Sequence, residues 1–456
     1  MPASLRSVRR APGLSRRAFL GTLGKTGAAF AAAPLIVPRN VLGGPGFLAP
    51  SDTVNVACVG VGGMGKVNLA NMNDVAITGL CDVDLDFTAP AFETWPKAAR
   101  YQDYRRMFDE ISDDIDGVVI ATPDHTHALI TLAAMERGIH VYTQKPLTWS
   151  VWEARQLGLA AERYDVVTQM GNQGRSSNEL YDIAEHVKGG TIGEVGEVHV
   201  WTNRPIWPQG MDLPSVLKRK PDGIDWDLYL GPAANMAYDP AFHPFVWRGW
   251  VPFGTGALGD IAAHSFAFVA TALDLGAPTT VETRSSAFNG HSYPVASTTF
   301  FEFPAHGERG PVRLTWYDGG FKPPRPEGLS DGEWLNSNGM MYVGSKGTLL
   351  HMGGVRLMPG DLAENTPPRL YDRIANESHE NNWVRAIRGE ENASSPFAFA
   401  APLTETVLLG VVSLLAGNKK IHWDAENLRI TNLPEANRYL RRTPRKGWEL
   451  PAVDAG

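Results

Sequence analysis

From residue 53 to about residue 175 the chain alternates two hydrophobic patterns. Runs of strand length, TVNVACVG (53–60), VAITGLCDVD, DGVVIATP (116–123), HVYTQKP and VVTQMGN, are rich in β-branched residues and end in Gly, Pro, Asn or acids. Between them KVNLANM, YQDYRRMFDEI (101–111), HTHALITLAAMERG and WSVWEARQLGLAAERY read as helices, the third closed by Gly138. Such alternation predicts βαβ units around a parallel sheet, a Rossmann-type domain over residues 50–175.

The pattern then changes. EVGEVHVWTN, TTVETRSSAF, ASTTFFEFPA, PVRLTWYDGG and MMYVGSKGTLLHM are longer strands with fewer helices between them and turn residues at their ends. They predict an open, largely antiparallel sheet in a second α/β domain over residues 176–456. LTETVLLGVVSLLAG (403–417) is a late apolar helix, and the tail ITNLPEANRYL is expected to pack back on the body. The segment FKPPRPEGLSDGE (321–333) is a loop by composition.

Composition narrows the choice of function. The 456 residues are 43% hydrophobic and carry a formal charge of −7, so the chain can bury a large core and lacks the basic excess of a nucleic-acid binder. No segment reaches the ~20 consecutive apolar residues of a membrane span. Cys58 and Cys81 sit in apolar runs and read as buried strand thiols, which excludes a disulfide framework and a CxxC metal site. The N-terminus differs from the rest: basic residues, Ser15-Arg16-Arg17-Ala18-Phe19-Leu20, then a short Ala/Gly-rich apolar stretch with small residues near Ala31 to Ala33. It looks like a twin-arginine export signal, so residues 1–45 are set aside from the fold, and a bacterial periplasmic or secreted protein is expected.

Two constellations carry chemistry. Gly60-x-Gly62-x-x-Gly65, in GVGGMG with Gly63 and Met64, follows a predicted strand and opens a predicted helix. That is where a dinucleotide pyrophosphate binds. Asp82 lies about twenty residues on, at the end of the second strand, where a carboxylate holds the ribose hydroxyls. No arginine follows it directly, so NAD is expected rather than NADP. Asp260 and His264, in GTGALGDIAAH, stand four apart and share a helix face. Such a pair can equally bridge a helix surface. His125 and His127 form an HxH that could suggest a metal; with no third ligand nearby, no metal is expected, and they read as helix-start histidines near the cofactor.

HVYTQKPLT (140–148) ends a strand in Lys145-Pro146, and proline fixes the extended geometry of the lysine before it. Lys-Pro after the fifth strand, ATPDHTHA and GALGDIAAH together resemble the glucose–fructose oxidoreductase/inositol dehydrogenase (Gfo/Idh/MocA) family over nearly the whole chain after the signal. The resemblance implies Lys145, Asp260 and His264 as catalytic groups. It also implies cofactor contacts from Thr122, Pro123, Gln144 and Lys145, and from Trp247 and Arg248 in FVWRGW. Gln144 stands where most of that family has Glu, which suggests easier deprotonation of Lys145. His264 is expected to accept the proton because imidazole titrates near neutrality, although it and Lys145 could exchange roles.

The resemblance further implies a sugar or polyol substrate and a homodimer or homotetramer. A secondary hydroxyl would be oxidised by NAD, and export would require the nucleotide to be tightly held. An alternative is NAD-dependent glycoside hydrolysis by C3 oxidation, elimination and re-reduction, with Tyr317 or His243 as a base if not simply packing. A third reading is a sugar-binding protein on a retired Rossmann scaffold, against which the joint presence of Lys145, Asp260 and His264 speaks.

Overall fold

The computed structural model describes residues 53–216, 218–374 and 378–454; the segment expected to be a twin-arginine signal lies outside the described residues. The first sheet comprises β1 (Val54–Val59), β2 (Val75–Cys81), β3 (Ala99–Tyr101), β4 (Gly117–Ile120), β5 (His140–Thr143) and β6 (Thr168–Met170). Its order is β3-β2-β1-β4-β5-β6, parallel throughout. The order reverses between β1 and β4, and the crevice over the carboxyl ends of the strands at that switch point is where such sheets bind ligands. Helices α1 (Met64–Ala70), α2 (Leu85–Thr94), α3 (Tyr104–Ile111), α4 (His127–Met135) and α5 (Val151–Tyr164) connect the strands. β3 has only three residues and α2 carries Pro90 inside it, and the sequence pattern does not predict them. Helix α5 opens with a full capping box, Ser150 and Glu153, which fixes where the chain leaves the site.

After α6 (Asn178–Lys188) comes the second sheet. It is built from β7 (Val195–Trp201), β8 (Thr280–Ser285), β9 (Ser297–Phe303), β10 (Val312–Tyr317), β11 (Gly339–Gly344), β12 (Thr348–His351), β13 (Val355–Met358), β14 (Ile421–Asp424) and β15 (Arg429–Ile430). The order is β13-β12-β11-β7-β10-β9-β8-β14-β15. β7 and β10 run parallel and every other pair is antiparallel, as the long alternating strands predict. MMYVGSKGTLLHM is a hairpin, β11 turning into β12, rather than one strand.

Between β7 and β8 lie α7 (Trp226–Leu230), a π-helical turn (Leu258–Ala262) and α8 (Ala263–Leu273). Two further helices, α9 (His379–Ile387) and α10 (Phe397–Leu415), follow β13. Helix α10 is apolar enough and long enough to cross a membrane, yet 78% of its apolar window is buried inside the protein, where it serves as a core helix. Helix α9 returns to the first sheet: Trp383 is fully buried with Val56, Cys58, Val119 and Tyr142. Cys58 and Cys81 are buried free thiols in neighbouring strands.

Candidate active site

The glycine-rich turn after β1 forms by backbone necessity. Gly60 has φ +86°, and a Cβ there would meet Ala121 carbonyl atoms at 2.6 Å. A Cβ on Gly65 would lie 1.9 Å from the Gly60 oxygen, so the helix can approach the strand only with glycine. Helix α1 begins at Met64 behind Gly63 with no side-chain cap, leaving its first amides unpartnered by a side chain. Asp82, at the end of β2, accepts Val61 N at 2.8 Å and Asp84 N at 3.1 Å. Burial raises its pKa to about 6 against the pull of those amides.

A cleft of about 470 Å³ opens over this turn. Gly60, Gly62, Gly63, Met64 and Asp82 line one end, with Thr122 and Pro123 above β4 and Gln144 and Lys145 after β5. From β2 to β5 is three strand spacings, ~14 Å. The residues fit a dinucleotide: bare amides at a glycine turn, a ribose-binding carboxylate, apolar walls from Val83, Phe87 and Tyr104, and an ammonium at the far end.

At that far end, Lys145 Nζ lies 2.5 Å from Asp260 Oδ1, and Arg248 Nε bonds the same oxygen at 2.9 Å. The two cations hold the Asp260 carboxyl well below the usual range despite its burial. Asp260 sits in the π-helical turn, a local widening that aims its side chain at the Lys145 loop. The Arg248 guanidinium lies over the Trp247 ring at 4.3 Å and the Trp207 ring at 5.8 Å. Arg248 thus lines the cleft but stands with the catalytic groups as a partner of Asp260.

His264 lies four residues beyond Asp260. Burial first, then the charge of Lys145, lower its pKa to about 3. Its ring is neutral at ordinary pH, and the expectation of a titration near neutrality does not hold for it. Gln144 does not act on Lys145 by charge; its Nε2 donates to Asn68 Oδ1 at 2.9 Å, and Asn68 donates to Glu380 Oε1 at 2.6 Å. The counter-charge of Lys145 is Asp260.

The two histidines differ in placement. His127 sits between two carbonyls, Nδ1 2.9 Å from Pro146 O and Nε2 2.8 Å from Thr122 O; its neutral ring donates to one of them, and it lines the cleft between the β4 and β5 loops. His125 is not among the cleft-lining residues; its Nε2 is 2.8 Å from Tyr229 O, and its ring packs on Phe253. Among the described residues no group of three or more His, Cys, Asp or Glu side chains could hold a metal. Tyr317 is not among the cleft-lining residues; its hydroxyl meets His199 Nδ1 at 3.2 Å beside the Trp201–Met341 cluster on the second sheet.

Trp247, Arg248 and His243, singled out in the sequence, belong to the cleft's outer wall, whose remaining residues the sequence does not mark individually. Residues 223–253 run over the loop after β2, with Leu85 N to Gly223 O at 3.1 Å and Asp225 N to Val83 O at 2.8 Å. His243 Nε2 meets Asp84 Oδ2 at 2.9 Å and its ring meets Phe87 edge-on at 5.8 Å. Tyr229, Phe242, Trp247, Trp250 and Phe253 form the strap's own apolar core. The aromatic density of this stretch was the available signal.

Fold and site together define an NAD-binding Rossmann oxidoreductase fold with a second, mixed-sheet domain. Residues 54–172 match the family model GFO_IDH_MocA, "Oxidoreductase family, NAD-binding Rossmann fold", which supports the Gfo/Idh/MocA family. Among curated relatives, a glycosyl hydrolase family 109 protein of Shewanella pealeana is 32% identical over 202 residues, 40% of this chain and 44% of the relative. Inositol 2-dehydrogenase of an Arthrobacter species is 27% identical over 165 residues, 35% of this chain and 48% of the relative. The matches thus span about half the length of these relatives. Among solved structures, the WlbA dehydrogenase of Bordetella pertussis, in complex with NADH and UDP-GlcNAcA, superposes with a TM-score of 0.57 at 14% identity, covering 82% of this chain and 99% of that one. An inositol dehydrogenase homolog of Azotobacter vinelandii, complexed with NADH and myo-inositol, gives 0.54 at 18% identity, with 81% and 98% covered. At these identities they share the fold.

Proposed function

We propose that this chain is an NAD-dependent enzyme acting on a secondary hydroxyl of a sugar or polyol, with the nucleotide retained through the catalytic cycle. The observation that carries the reading is the ion triad Lys145–Asp260–Arg248 at the carboxyl end of the NAD-binding sheet, beside the cleft. When bound, the nicotinamide supplies the acceptor and donor of hydride. Lys145 then donates to the carbinol oxygen and stabilises the negative charge that grows there as the carbonyl forms. Asp260 holds that ammonium in place and lowers the cost of burying it. The neutral His264 ring can donate or accept a hydrogen bond to a substrate hydroxyl.

Retention rests on the strap. Asp84–His243 and the backbone bonds at Gly223 and Asp225 fasten residues 223–253 to the loop after β2, so that the segment forms a fixed wall along the cleft. A retained nucleotide favours a closed redox cycle, through either a second sugar that returns the hydride or glycoside cleavage in which oxidation, elimination, hydration and re-reduction occur on one substrate. The family 109 relative supports the second form. Export through a twin-arginine route, which carries folded proteins, is consistent with a cofactor loaded beforehand, and we include a periplasmic or secreted location and a homo-oligomer in the proposal. Assay of the NAD-loaded protein on p-nitrophenyl hexopyranosides and on pairs of free sugars tests the reading. Turnover without added nucleotide supports it, and turnover only with excess NAD refutes retention.

A further inference from the structure

Asp124 is a carboxyl that the family resemblance leaves without a role. It follows Pro123 at the carboxyl end of β4, next to the strand that carries Lys145, and it lines the cleft with Lys145 and Arg248. The residue is 2% exposed. Its Oδ2 accepts the Thr255 hydroxyl at 2.7 Å, while Oδ1 is buried and has no partner among the described residues. A buried acceptor left unpaired is costly in a folded protein unless something arrives to bond it.

The other groups of the site are already committed. The Asp260 carboxylate is held by two cations, and burial with the Lys145 charge lowers the His264 pKa to about 3, which makes its ring a weak base. Asp124 differs. Burial raises its pKa to about 7, opposed by Arg248, Thr255 and Lys145 and reinforced by Asp260. Tyr293 and Arg442 also feel its charge, and burial lowers the pKa of His125 and His127 on its own segment, so both are neutral. A carboxyl poised near neutrality can take and return a proton at working pH.

We propose that Asp124 is the proton acceptor for the carbinol, its Oδ1 receiving the hydroxyl proton while Lys145 donates to the same oxygen. This rests on the reaction proposed above. The carbinol O–H bond breaks and a carboxyl O–H bond forms on Asp124. The C–H electron pair leaves with its hydrogen as hydride to the nicotinamide, and the carbon–oxygen double bond forms. Carbonyl reduction reverses each transfer, so the carboxyl returns its proton within the same closed cycle. Thr255 is a positioning residue: its hydroxyl donates to Oδ2, which favours the ionised carboxyl and leaves Oδ1 as the oxygen without a protein partner.

The test uses NAD-loaded full-length protein, the variants Asp124→Asn and Thr255→Val, and the panel of p-nitrophenyl hexopyranosides and free sugars. In the parent, oxidation should speed up as pH rises through about 7. Asp124→Asn should lose ~10²-fold or more in kcat and lose that pH limb. Thr255→Val should keep turnover and move the limb to higher pH, because a donor to the carboxylate is gone. Infrared titration supplies a readout independent of turnover: a protonated-carboxyl band that fades through neutral pH in the parent and is missing in Asp124→Asn. Parent-like kcat and pH profile in Asp124→Asn would overturn the inference alone. If that variant does not fold, an unmoved limb in Thr255→Val overturns it instead. A parent that turns over no sugar or glycoside, yet shows the titrating band, would count against the reaction and leave the carboxyl assignment standing.

Discussion

Lys145 and Asp260 are 115 residues apart in the chain and 2.5 Å apart in space, Nζ to Oδ1, with Arg248 completing the cluster on the same oxygen. All three side chains are largely buried, at 11%, 8% and 17% exposure. Removing the carboxylate strands two cations in a poorly hydrated site. Asp260→Asn should destabilise the protein by ~3 kcal/mol or more, as for a broken buried pair. Lys145→Ala, which leaves Asp260 still paired with Arg248, should cost less stability and abolish turnover. Denaturant melts beside activity assays check both, and a Lys145→Ala variant with parental turnover would remove Lys145 from the mechanism.

The ribose end predicts a pH dependence of binding. Asp82 serves ribose hydroxyls as a carboxylate, and burial lifts its pKa to about 6. Above that value the acceptor is ionised; as pH falls through it, protonation competes with the nucleotide. NAD affinity should therefore fall by up to ~10-fold per pH unit below about 6. Calorimetric titration of stripped protein checks this, and Asp82→Asn should bind weakly with no such slope.

The strap predicts a kinetic effect. His243→Ala removes the hydrogen bond to Asp84 and the edge contact with Phe87 while leaving Lys145 and Asp260 in place. A loss of about 1.4 kcal/mol corresponds to ~10-fold faster NAD release. Stopped-flow displacement of the bound nucleotide measures the rate, and an unchanged rate would show that the strap does not retain it.

Gln144→Glu restores the residue that most of the resembling family carries, yet it should be unfavourable here. The new carboxylate would face Asn68, which already serves the buried Glu380, and Gly171 leaves no slack because even a Cβ there would meet the Gln144 side chain at 2.7 Å. Two buried carboxylates around one amide should cost ~2 kcal/mol at neutral pH. The new acid's folded pKa would lie above its unfolded value. Its penalty is thus absent below the unfolded pKa and grows as pH rises towards the folded one. Thermal melts of parent and variant at acid and neutral pH should therefore converge at the lower pH.

Much of this was legible in the chain because it depends on local pattern. The strand–helix alternation, the turn at Gly60 to Gly65 and the Lys145-Pro146 strand end are each written in a few consecutive residues. Asp260 and His264 were legible through their spacing. The partner of Arg248, the return of Trp383 to the first sheet and the Glu380–Asn68–Gln144 chain join residues from distant parts of the sequence, which a single sequence does not reveal. His264 was legible but its titration was not, because a histidine's pKa is set by burial and neighbouring cations that no spacing records. Asp124 within ATPDHTHA carries no local signal that sets it apart from its neighbours. Its partner is Thr255, far along the chain.

The most direct test of the account is to purify the protein, denature it, and identify and quantify any released nucleotide by absorbance and mass. Retention of NAD through the cycle predicts close to one NAD(H) per chain, with turnover of a sugar pair or a glycoside needing none added. No released nucleotide, together with weak and freely reversible NAD binding, would contradict it and leave an ordinary exchanging dehydrogenase.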